Sequence, residues 1–136
     1  MLTFLFFGKM FINNDGLEAP EGVLNMANKV LIATLYNSDP VILATTRLGP
    51  NRLILLIDKN PDKEQEASLK IINDSLGKVI DVKTVKTEVY DIAEVAKKCV
   101  EVIDMQPKED EIYINITSGR KTKAIGLLFA AYARHD

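Results

Sequence analysis

The sequence predicts an α/β fold in which parallel strands alternate with helices. Three observations predict it. Short apolar runs rich in β-branched residues recur along the chain from Lys29 onward. The stretches between them carry apolar residues at helical spacing, and capping or turn residues divide one element from the next. The length of 136 residues at 15.2 kDa suits one domain.

Each element has its own justification. Lys29–Thr34 (KVLIAT) and residues 52–57 (RLILLI) are apolar without alternation, as strands buried on both faces are. Residues 79–87 (VIDVKTVKT) alternate, which suits an edge strand with one polar face. Residues 111–117 (EIYINIT) form the fourth strand. The first helix opens on Asp39 as N-cap with Pro40 in its first turn, and Gly49-Pro50 stops it. The second, Lys63–Leu76, is charged early, carries Leu69, Ile72 and Leu76, and stops at Gly77. Asp91 caps the third, whose apolar positions are Ile92, Val95, Cys99, Val102 and Ile103. The fourth covers residues 121–134, with Ile125, Leu128, Phe129 and Tyr132 on one stripe. Right-handed crossovers then give a Rossmann-like parallel sheet of strand order 3-2-1-4 with helices on both faces.

Composition narrows the function classes. The chain is 47% hydrophobic and 26% charged, with a net charge of −2 and a pI near 5.5. A disordered chain is excluded, and wholesale binding to duplex nucleic acid is not expected. Cys99 is the sole cysteine, so no intramolecular disulfide forms; nothing points to secretion, and a cytoplasmic protein is expected. One histidine, His135, leaves no Cys/His zinc site and no Ser-His-Asp triad. No metal and no cofactor are expected. Asp39 and Asp58, each following a strand, are the residues a magnesium ion would use, although no D-x-D occurs.

Residues 1–25 form an aromatic N-terminal segment and linker, with Phe4, Phe6, Phe7 and Phe11 followed by NNDGLEAPE. The apolar run is too short to span a bilayer, so no membrane association is expected, and it makes a poor signal peptide. Met26 begins the domain proper, residues 26–136. The leading segment is then either a mis-called start or an added strand at a sheet edge.

In such sheets ligands sit beyond the carboxyl ends of the strands where strand order reverses, here between the first and fourth strands. Two loops meet there. The first, TLYNSDP, lacks the G-x-G-x-x-G of dinucleotide sites but offers Asn37, Ser38 and helix N-terminal amides. It reads equally as a plain capping turn. The second, NITSGRKTK, gathers Thr117, Ser118, Gly119, Arg120, Lys121 and Lys123 at a helix N-terminus. Cations there oppose the helix dipole, so an anion is expected to compensate. A solvated basic turn is the alternative.

Residues 111–133, EIYINITSGRKTKAIGLLFAAYA, resemble the second motif of CRISPR-associated Rossmann-fold (CARF) domains, and residues 29–42, KVLIATLYNSDPVI, resemble the first. The likeness is strongest to archaeal transcription regulators in which this domain precedes a winged helix. It implies a homodimer binding a cyclic oligoadenylate, commonly cyclic tetra-adenylate, in a pocket on its two-fold axis, with a role in antiviral defense. By position, Asn37 and Ser38 would reach ribose or phosphate. Thr117, Ser118, Gly119, Arg120 and Lys121 would hold the ring's backbone, with Lys123 in support. Family members continue into further strands and an effector domain, whereas no winged helix or nuclease pattern occurs here. A fragment or stand-alone sensor is therefore expected, with no direct DNA binding by this chain.

Two further readings stand beside the sensor. Some family members cleave the ring without metal, the ribose 2′-OH attacking the adjacent phosphate; Lys121 would then stabilise charge and Ser38 position the ring, slowly for want of a histidine base. The other is a generic nucleotide-binding domain.

Overall fold

In the computed structural model, residues 8–10 and 28–134 are described, the first three by backbone alone. The aromatic run beyond those three residues, the linker, Met26 and His135 lie outside the described residues. The elements in chain order are β1 (Gly8–Met10), β2 (Lys29–Thr34), α1 (Ser38–Leu48), β3 (Arg52–Asp58), α2 (Lys63–Leu76), β4 (Asp81–Thr87), α3 (Ile92–Asp104), β5 (Glu111–Asn115) and α4 (Lys121–Ala133).

Four parallel strands lie in the order β5-β2-β3-β4, which is the expected 3-2-1-4 arrangement, and β1 pairs antiparallel along the outer edge of β5. The pairing Ala33↔Asn115 brings the carboxyl ends of β2 and β5 side by side. Strand alternation divides the core into two layers. Leu31, Leu53 and Leu55 pack with Val41 and Ala44 of α1 and Ile72 of α2. Val30, Ile32, Ile54 and Ile114 pack on the other face with Val95 and Cys99 of α3 and Leu127 and Ala130 of α4. β4 is the edge strand, exposed along most of its length.

Caps fix the helix starts. Asp62 accepts the Gln65 amide at 2.8 Å and Asp91 accepts the Glu94 amide at 3.0 Å. Helices α3 and α4 cross closely at Gly126, where a Cβ would come within 2.5 Å of Val95 Cγ1.

Three expectations are corrected. Helix α1 begins at Ser38 with Asn37 in the N-cap position, not at Asp39, because the preceding amides are satisfied from the opposite loop rather than by a local side chain. Strand β4 begins at Asp81; Val79 lies in the turn after α2 and is mostly exposed. On α4 the buried face is Lys123, Gly126, Leu127, Ala130 and Ala131. The expected stripe points outward, with Ile125, Phe129 and Tyr132 40%, 58% and 62% exposed and only Leu128 packed against the core. At the crossing with α3 this face carries Gly126, because Val95 leaves no room there for a side chain.

Candidate functional site

The two loops at the strand-order switch are tied together by side chains of the second. The Ser118 hydroxyl oxygen accepts the amides of Tyr36 and Asn37, each at 2.8 Å, and donates to the Asn37 carbonyl at 3.0 Å. Thr34 donates its hydroxyl to the Ser118 carbonyl. Gly119 completes the join. Its φ of 91° is left-handed, and a Cβ would fall 2.7 Å from Thr34 Cβ, so only glycine lets the loops approach this closely. Asn115 Oδ1 accepts both the amide (3.2 Å) and the hydroxyl (2.6 Å) of Thr117, which turns the chain out of β5.

Beneath these loops lies a charge cluster centred on Asp58, the last residue of β3 and 1% exposed. Its Oδ1 is 2.7 Å from Nζ of Lys123, whose side chain is fully buried, and its Oδ2 accepts from Arg120 Nε at 2.9 Å. Lys123 also donates to the Glu88 carbonyl at 3.3 Å. The anion expected to compensate cations at this helix N-terminus is therefore present within the protein for two of the three. The Asp58 hydrogen bond holds Arg120 more firmly protonated than an ordinary arginine.

Arg120 continues outward. Its guanidinium lies 5.5 Å from the centroid of the Tyr36 ring, within cation–π range, and one terminal nitrogen is 4.0 Å from Asp62. The Tyr36 hydroxyl donates to Asp62 at 2.7 Å. That bond, with the nearby carboxylate charge, pushes the Tyr36 pKa up to about 12. Asp62 is held below the usual carboxylate range, first by the Gln65 amide and then by the Tyr36 hydroxyl.

The structure thus separates the residues that sequence grouped. Asn37, Thr117 and Lys121 are exposed and Arg120 is partly so. Lys121 forms no hydrogen bond or ion pair with a described residue. Ser118 and Lys123, expected to face a ligand, are instead below the surface, where the hydroxyl latches the loops and the ammonium is held by Asp58. Ser38 is 8% exposed in the first turn of α1, which leaves little of its hydroxyl for a positioning role. Asp58 is committed to two cations. Sequence reading missed Asp58 as a partner of the cations, and missed Tyr36. The available signal was an acid directly after a run of five apolar residues, 53–57, at the same end of the sheet as a basic loop.

Beside the second loop an open cleft of about 360 Å³ is lined by Asp39, Pro40, Leu43, Ala44, Arg47, Asn115 and Thr117. Its walls are mostly apolar, and its rim is shared with both loops.

A parallel sheet with helices on both faces and two joined loops at its order switch defines the protein as a Rossmann-like domain. Residues 29–136 match the family described as HFX_2341_N:-like, N-terminal, and the chain belongs to that family. No curated protein is similar in sequence. Among solved structures, Can2 from Sulfobacillus thermosulfidooxidans in complex with cyclic tetra-adenylate is similar with a TM-score of 0.66 at 18% identity, over 79% of this chain and 30% of that one. A type III CRISPR defence DNA nuclease activated by cyclic oligoadenylate gives 0.56 at 19% identity, over 88% of this chain and 19% of that one. The chain spans less than a third of either protein, and the likeness is one of fold. Among the described residues no helix is long and apolar enough to cross a membrane.

Proposed function

We propose that this chain is a sensor domain that binds a cyclic oligoadenylate, cyclic tetra-adenylate in the first instance, in a pocket shared by two copies of itself. The observation that carries this reading is the joining of the two loops through Ser118, which gathers Asn37, Thr117, Arg120 and Lys121 around the N-termini of α1 and α4. Phosphates of a ring suit the exposed cations and helix amides. The adjoining cleft, walled by Pro40, Leu43 and Ala44, is large enough for a purine base. The fold shared with a protein solved in complex with cyclic tetra-adenylate supports the ligand class.

A two-fold ring asks for a two-fold protein. The outward stripe of α4, Ile125, Phe129 and Tyr132, supports a homodimer, because large apolar side chains exposed together mark an interface. The output of such a cytoplasmic sensor is regulatory, as in the archaeal regulators that the sequence resembles, with no direct DNA contact by this domain.

Calorimetry of the chain with cyclic tetra-adenylate, ATP and NAD tests the reading. The expected result is one ring bound per two chains, with ATP and NAD far weaker. NAD binding comparable to the ring would overturn it. Chromatography of the ring after incubation separates binding from cleavage.

A further inference from the structure

We infer that Asp58 is a positioning residue for the ligand site, holding the Arg120 guanidinium where it meets phosphate. The inference rests on the reading of the two loops as a cyclic oligoadenylate site. Asp58 binds Arg120 through Nε alone, at 2.9 Å; one terminal nitrogen lies 4.0 Å from Asp62, beyond hydrogen-bond distance, so neither terminal nitrogen is held by a hydrogen bond to a described residue. The guanidinium lies over the Tyr36 ring, 5.5 Å from its centroid, where cation–π attraction adds to the Asp58 anchor. Arg120 reaches from the buried carboxylate to the surface, with 36% of its side chain exposed.

Asp58 is itself held from several elements. Its backbone amide donates to Gln65 Oε1 of α2 at 3.1 Å, and Gln65 Nε2 donates to the Leu35 carbonyl of the first loop at 2.9 Å. Its second oxygen meets Lys123 of α4 at 2.7 Å. The carboxylate therefore fixes the basic loop relative to β3, while the backbone amide of the same residue, through Gln65, ties the end of β3 to the first loop. Asp58, Lys123 and Arg120 together carry one positive charge, which the exposed Asp62 beside Arg120 offsets in part, and Arg120 is the cation of the cluster that reaches the surface.

The sign of the effect separates positioning from plain electrostatics. An acid beneath a phosphate site repels the ligand, so simple charge removal would tighten binding. Positioning demands the opposite, because an unanchored arginine must be ordered at the moment of binding. The test is titration of the full chain and its variants with cyclic tetra-adenylate. Asp58→Asn should bind about tenfold or more weakly, since both copies lose an ordered arginine. That loss should vanish in an Arg120→Gln background and persist unchanged in a Lys121→Ala background. Affinity equal to or tighter than wild type in Asp58→Asn, or the same loss with and without Arg120, overturns the inference. If Asp58→Asn fails to fold, Asp58→Asn/Lys123→Met retires both members of the buried pair, a change that proteins often tolerate, and the same outcomes apply to it. No binding by the wild-type chain instead overturns the function on which the inference rests.

Discussion

Lys121 and Lys123 stand two residues apart on the first turn of α4, and their alanine variants should fail in opposite ways. Lys123 is fully buried, 2.7 Å from a carboxylate that is itself 1% exposed. Removing one partner of a buried pair costs about 3–5 kcal/mol. Arg120 remains on the other Asp58 oxygen, which puts Lys123→Ala near the lower end, about 3 kcal/mol. At about 3–4 °C per kcal/mol for a domain of this size, its melting temperature should fall by roughly 9–12 °C. Lys121 is exposed, and its loss removes a cation from a helix N-terminus, so Lys121→Ala should melt at the wild-type temperature or slightly above. Its binding should suffer instead. A charge-assisted contact is worth about 1.5–3 kcal/mol, so losing one from each subunit should weaken cyclic tetra-adenylate by about two to four orders of magnitude. Lys63→Ala, exposed on α2, is the control and should change neither quantity. Thermal melts followed by circular dichroism, with calorimetry on the same samples, give both readouts. A wild-type melt for Lys123→Ala would refute the buried pair, and wild-type affinity for a folded Lys121→Ala would move the ligand off this loop.

Ser118→Ala leaves the Tyr36 and Asn37 amides without their shared acceptor; stability should fall by about 1–3 kcal/mol, and hydrogen exchange at those two amides should rise above that of the sheet. Gly119→Ala meets both a left-handed φ and Thr34, so it should lower the melting temperature by more than Gly49→Ala, where a Cβ meets nothing within 4 Å. Absorbance titration of tyrosine should find one group ionising near pH 12, and Asp62→Asn should return it toward the ordinary value, since the Asp62 hydrogen bond is the main cause. The Asp62 carboxyl is held low in the folded chain, so its contribution to stability is present above the unfolded value near 4 and lost as pH falls through the lower folded one; melts of wild type and Asp62→Asn should converge in acid. If the proposed homodimer uses the outer face of α4, the wild type should scatter light as a dimer and Phe129→Glu/Tyr132→Glu as a folded monomer, because both side chains are exposed.

The fold was legible because its strands are buried on both faces. KVLIAT, RLILLI and EIYINIT keep most of their polar residues to their ends and are apolar between, and the capped amphipathic stretches separating them leave few topologies that avoid left-handed crossovers. The face of α4 was not legible in the same way. Apolar residues occupy both its sides, at Leu127 and Ala130 as well as at Phe129 and Tyr132, so periodicity selects no single stripe. The close crossing with α3 at Gly126 decides which side is inside, and that is a property of the packed pair rather than of either helix.

The site shows the same division between local and tertiary information. The place where the loops meet follows from strand order, and the glycine that permits their approach is visible in the sequence. The role of each cation is not, because it depends on what lies beneath. Arg120 and Lys123 compete against the dipole of α4 and hold their positions through a carboxylate some sixty residues earlier in the chain. Sequence reasoning assigned that compensation to a ligand, whereas Asp58 satisfies it before any ligand arrives. What is left over for an anion is therefore smaller and better defined: an exposed Lys121, the outer end of Arg120, and the helix amides beside Asn37. A basic loop braced from inside presents its remaining charges in a fixed pattern. Selectivity for a ring over a flexible linear nucleotide depends on a pattern of that kind, because a preformed array gains most from a ligand whose phosphates are themselves held apart.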